Sequence, residues 1–154
     1  MRKLYATAIV ALVALGVLAL SPVAWAQAPT TFVAHLSSAN EVPGCPQGVA
    51  SGAHGVAIVQ VDAETGEISY RVIATNLPGT IAGSPGAHIH VGAAGSMGPV
   101  VQPLTLTGQE VGLVAAGSAT NPALAAAILA DPANYYVNVH TTTCMPGAIR
   151  GQLG

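Results

Sequence analysis

The sequence is poor in charge, with four Lys or Arg and six Asp or Glu among 154 residues. Proteins that bind nucleic acid or anionic lipid gather basic side chains on one surface. A chain with so few excludes both classes. Aromatic residues are also scarce, with one Phe, one Trp and four Tyr. Scarce aromatics and abundant Gly and Ala can signal low complexity, but the apolar residues here recur periodically, as disordered segments do not. No second apolar run of membrane-spanning length follows the first. There is no Gly-x-Ser-x-Gly elbow, no His-Glu-x-x-His helix and no phosphate-binding loop, so the best-marked hydrolase, zinc-protease and nucleotide-binding classes are excluded.

The first apolar run itself is informative. Arg2 and Lys3 precede an uncharged stretch from Leu4 to Leu20, Ser21 and Pro22 break it, and Ala24-Trp25-Ala26 offers a small-x-small cleavage pattern. This order predicts a signal peptide over 1–26 and a secreted or periplasmic domain over 27–154. The competing reading, an uncleaved anchor, rests on the length of the run. Cleavage removes Arg2 and Lys3, so Arg71 and Arg150 face all six acidic residues, a net charge of −4 with histidine neutral. The remaining length suits one domain. Cys45 and Cys144 both stay in it. In an exported chain an even count predicts a disulfide, here one closing about 100 residues and contributing roughly 4–5 kcal/mol by chain entropy. The alternative use of the two residues is as thiolate metal ligands.

Strands are expected at Thr31 to Leu36, His54 to Val61, Glu67 to Thr75, Ala87 to Val91, Val100 to Leu106, Glu110 to Ala115, Tyr135 to Thr141 and Gly147 to Leu153. Each is a short β-branched or alternating run bounded by Gly, Pro or Asn. Asp62-Ala63-Glu64-Thr65-Gly66 joins the second and third as a hairpin loop. Asn121-Pro122 before ALAAAILA gives one helix, capped by Asn121 and ended by Asp131-Pro132. The pattern predicts an all-β fold, an antiparallel β-sandwich or partly closed barrel with one short helix.

Side chains two apart on a strand share a face. In Ala87-His88-Ile89-His90-Val91, Ile89 and Val91 point inward, so His88 and His90 project together. In Tyr135-Tyr136-Val137-Asn138-Val139-His140, the valines face one side and Tyr136, Asn138 and His140 the other. If the two strands are neighbours, His88, His90 and His140 converge, and three imidazoles with an open position suit copper or zinc. A histidine pair on a strand face bonded to main chain is the competing reading. His35 and His54 read as ordinary polar strand residues. His140, Cys144 and Met145 resemble a blue-copper set only if Cys144 is a free thiol. Asp62, Glu64 and Glu67 read as a solvated hairpin and not as a carboxylate pair for glycoside hydrolysis. Glu41 and Arg150 flank the two cysteines and are expected to form a fold-locking ion pair.

The segments Leu36-Ser37-Ser38-Ala39-Asn40-Glu41-Val42-Pro43, Ala87 to Gly92, Gly98-Pro99-Val100-Val101, Tyr136 to Thr141 and Pro146 to Leu153 together resemble the CHRD domain. That family is named for chordin, an extracellular antagonist of bone morphogenetic proteins, and also occurs as stand-alone exported bacterial proteins. Ala148 departs from it, standing where the family often has an acidic residue. The resemblance carries no catalytic activity. It implies a non-enzymatic binding or envelope-associated module, whose partner is an unknown extracytoplasmic protein or a metal ion. The His-x-His strand before a Gly-rich loop is also similar to copper/zinc superoxide dismutase, which makes a dismutase-like metalloenzyme the second expectation. A purely structural module without metal is the third.

Overall fold

A computed structural model describes residues 27–45, 52–83 and 86–154. The stretch read as a signal peptide, 1–26, lies outside the described residues. The chain forms strands β1 (Thr30–Ser37), β2 (His54–Val61), β3 (Glu67–Thr75), β4 (Ala87–Val91), β5 (Val100–Pro103) and β6 (Gly112–Thr120), then helix α1 (Pro122–Ala130), then β7 (Tyr135–Val139) and β8 (Ile149–Gln152). All eight strands join one sheet in the order β5-β4-β7-β8-β1-β2-β3-β6, and every paired neighbour is antiparallel.

Alternation decides which face is buried. Along β3, Ile68, Tyr70, Val72 and Ala74 point inward while Glu67, Arg71 and Ile73 are exposed. Ala57, Val59 and Val61 do the same on β2, and Ile89, Val137, Val139 and Ile149 on β4, β7 and β8. Burying these aliphatic groups against one another is the main driving force of the fold. Asp62 holds the β2–β3 turn by accepting from the Glu64 and Thr65 N–H groups, and Gly66 takes a φ of 70°. In α1, Asn121 Oδ1 accepts from the Leu124 N–H, and Leu124, Ala125 and Ile128 enter the core.

The sheet curls until its two edges meet. Leu104 still donates to Ala87 on β4, but Thr105 accepts from Ala116 and Thr107 donates to Val114, both on β6. The result is the partly closed barrel among the expected forms. β1, β7 and β8 shift by one or two residues at their ends, and two elements differ by more. The strand expected over Val100 to Leu106 divides at Pro103, and after one further bond to β4 at Leu104 the chain swings across to β6. The sixth strand lies at Gly112–Thr120, later than Glu110 to Ala115. Glu110 is used elsewhere, its carboxylate accepting the Ile81 N–H. The small residues that end β6 carry no apolar period that would have marked them as strand.

Cys45 and Cys144 are joined in a disulfide across 99 residues of sequence. Replacing both by serine is expected to lower unfolding free energy by about 4 kcal/mol, measured by guanidinium denaturation of the double variant. An unchanged midpoint would contradict that contribution.

Candidate metal centre

The register of β4 on β7 sets His88 opposite Asn138 and His90 opposite Tyr136, and His140 follows the last residue of β7. Ile89, Val137 and Val139 occupy the core side, so the three imidazoles share the outer face, as alternation requires. The outer face is not open to solvent, however. The segments 38–45, 92–98 and 141–148 roof it, leaving His88, His90 and His140 between 4% and 8% exposed. Ring centroids lie 5.1 Å apart for His88–His140, 5.4 Å for His88–His90 and 6.0 Å for His90–His140. One nitrogen from each ring falls within 4.8 Å of the others.

The roof orients the rings. His90 Nδ1 bonds to the Gly98 carbonyl and His140 Nδ1 to the Met145 carbonyl, both at 2.9 Å. A carbonyl only accepts, so each Nδ1 carries the proton and each Nε2 presents a lone pair. Neither Nε2 has a hydrogen-bond partner among the described residues, and neither does His88 Nδ1. Burial pushes His88 down to about 4, helped by the neighbouring His140 and His90. Burial also lowers His90 and His140, against the carbonyl bonds that raise them. All three are therefore neutral at pH 7, the form that ligates metal. A ligating imidazole usually donates its other N–H to an oxygen acceptor, as two of these do.

Two further buried atoms lack partners, Glu41 Oε1 and Asn138 Oδ1. Asn138 lies on the same face between His88 and Arg150, and its amide donates to Glu41 Oε2 at 3.4 Å. Every partnerless buried side-chain atom among the described residues thus belongs to one patch. Three of the five, His90 Nε2, His140 Nε2 and Asn138 Oδ1, are acceptors wherever His88 and Glu41 carry their protons. Buried polar groups are normally satisfied, and three unpartnered lone pairs converging in one patch fit a cation.

The ion pair expected between Glu41 and Arg150 is not formed. Arg150 donates to Ser96 O at 2.7 Å, Ala93 O at 2.9 Å and Gln152 Oε1 at 3.0 Å, and its guanidinium lies 3.4 Å above the Tyr136 ring. Two loop carbonyls and the Gln152 amide oxygen hold the guanidinium away from the carboxylate. Glu41 turns to Asn138, and burial pushes its carboxyl up to about 8 against the attraction of Arg150 and the Asn138 bond.

The remaining candidates lie elsewhere. His35 is exposed on β1, and His54 bonds Gly52 O and Thr75 Oγ1. Cys144 is tied to Cys45, so no thiolate joins His140 in a blue-copper set. Sequence reasoning missed the roles of Tyr136 and Gly98. Tyr136 stacks on His90 with 4.7 Å between centroids and 9° between planes, and its hydroxyl accepts from the Gly98 N–H at 3.1 Å. A Cβ on Gly98 would stand 1.6 Å from Val91 O, so only glycine lets this loop reach both rings. The one signal in the sequence was the Gly-rich loop following the His-x-His strand.

Fold and site together define a curled antiparallel β domain with a loop-covered histidine cluster on its outer face. The chain belongs to the CHRD domain family, whose model matches residues 32–153. No curated protein and no solved structure matches the chain.

The buried groups make stability depend on pH in opposite senses. Glu41 is raised from 4.5 to about 8, so its contribution is full below pH 4.5 and is lost as pH rises through 8. His88 is lowered from 6.5 to about 4. Its contribution, like those of His90 and His140, is present above pH 6.5 and lost in acid. Metal-free protein is expected to be most stable near pH 6.5, where the histidine gain ends and the Glu41 loss continues. Thermal unfolding in a chelator across pH checks this, and Glu41→Gln should abolish the alkaline decline while keeping the acid one.

Proposed function

We propose that this chain is an exported, non-enzymatic binding module that holds one copper or zinc ion through His88, His90 and His140. The observation that carries the reading is the set of neutral imidazole nitrogens, buried together and left without partners. Three nitrogen ligands would leave one position of a tetrahedral ion for water or a partner group. The roof over the cluster favours retention of an ion over rapid exchange of substrate. Export is supported by the signal-like order of residues 1–26 and by the disulfide, a bond that persists in oxidising compartments. No helix among the described residues is long and apolar enough to cross a membrane. An envelope-associated role in a secreted or periplasmic setting fits these features.

Calorimetric titration of the purified protein with copper(II) and with zinc(II) tests the reading. One equivalent of at least one metal should bind, and His88→Ala/His90→Ala should weaken it by about a hundredfold or more. Equally weak uptake by wild type and variant would leave the histidines a structural role. Superoxide turnover by the loaded protein would instead make it a dismutase-type metalloenzyme.

A further inference from the structure

A second feature of the outer face stands apart from the histidines. A cavity of about 570 Å³ opens over β1 and β8, bounded by the turn after β1, the loop at Ala94 and Gly95, and the C-terminal Gly154. Its volume lies within the range of small-molecule sites. Arg150, Gln152, His35 and Asn40 supply its polar wall, and Val33, Ala39, Val42 and Ala94 much of the rest. Val33 is 50% exposed, so the apolar side is accessible.

Arg150 is the unusual member, 2% exposed and touching no carboxylate among the described residues. Buried cations are ordinarily paired with an anion, because desolvating a lone charge is costly. Glu41, the acid that acts on Arg150 through space, is largely protonated at neutral pH and leaves that charge uncompensated. The guanidinium is also held rigidly, by Ser96 O, Ala93 O, Gln152 Oε1 and the face of Tyr136. Those three bonds use three of its five N–H donors, so two remain. A fixed guanidinium with donors to spare is preorganised for a carboxylate.

We propose that this cavity binds a small monoanionic carboxylate with a short apolar body, its carboxylate held by Arg150 and its hydrocarbon part against Val33, Ala39, Val42 and Ala94. One cation matches one negative charge. A phosphate ester brings a second charge beyond the single permanent cation of the wall, toward a domain whose remaining charge is negative. The site does not depend on metal in the histidine cluster.

Two-dimensional NMR titration of the full domain with butyrate, butyramide and inorganic phosphate tests the assignment. Butyrate should shift the amides of Val33, Ala39 and Ala94 saturably, and bind about tenfold or more tighter than butyramide or phosphate. Val33→Glu places a negative charge on the exposed wall. It should weaken butyrate by about tenfold while leaving thermal stability and the histidine ring signals unchanged. Equal binding of butyrate and butyramide would reduce the cavity to an apolar crevice and overturn the proposal. So would tighter binding of phosphate, or butyrate shifts that survive Val33→Glu.

Discussion

Two hydrogen bonds govern the site: His90 Nδ1 to Gly98 O and His140 Nδ1 to Met145 O. They fix the tautomer, and the tautomer decides that lone pairs rather than protons face the shared space between the rings. Each acceptor sits on a loop that the barrel must hold still. Arg150 pins the first loop through the carbonyls of Ala93 and Ser96, and Gln152 adds a bond to Gly92 O. The second is tied at Cys144, by the disulfide and by the bond from its N–H to Thr141 Oγ1. Orientation of imidazoles on β4 and β7 thus depends on contacts made by β8 and by the two cysteines.

The same arrangement accounts for Glu41. Its loop is brought over the sheet by Cys45, where it covers Asn138 and closes the roof. The carboxyl enters an environment in which Arg150 is held out of contact by loop carbonyls. It therefore stays protonated where an exposed carboxyl would ionise, because desolvation outweighs an attraction acting without contact. Tyr136 links the two halves of this face, stacking on His90 on one side and under Arg150 on the other. A cation on an aromatic face contributes attraction without a counter-charge, which helps Arg150 remain buried with no anion beside it.

Much of the barrel was legible because it follows from alternation. β2, β3 and β4 begin and end where the pattern of β-branched and polar residues placed them, and Asn121-Pro122 announced α1. The shared face of His88, His90 and His140 followed from the same two-residue period. Their burial did not, because period two separates the faces of a strand but cannot say what lies above either. The roof is made of loops whose backbone atoms do the work, and carbonyls leave no mark in a sequence. Glu41 and Arg150 were placed near each other correctly in outline, through the cysteines. The competition of loop carbonyls for the guanidinium was invisible, since it depends on where Ala93 and Ser96 point. The apolar run extending past Pro103 concealed both the end of β5 and the crossing to β6.

The claim on which the metal reading rests is that His90 and His140 hold neutral rings with unprotonated Nε2 atoms facing one another's neighbourhood. Long-range nitrogen–proton correlation spectra of metal-free protein at pH 7 report ring tautomers directly. The account predicts protonated Nδ1 and bare Nε2 for both residues, with the Nε2 resonances alone moving strongly on addition of one equivalent of zinc. Protonated Nε2 atoms, or imidazolium rings at that pH, would contradict it.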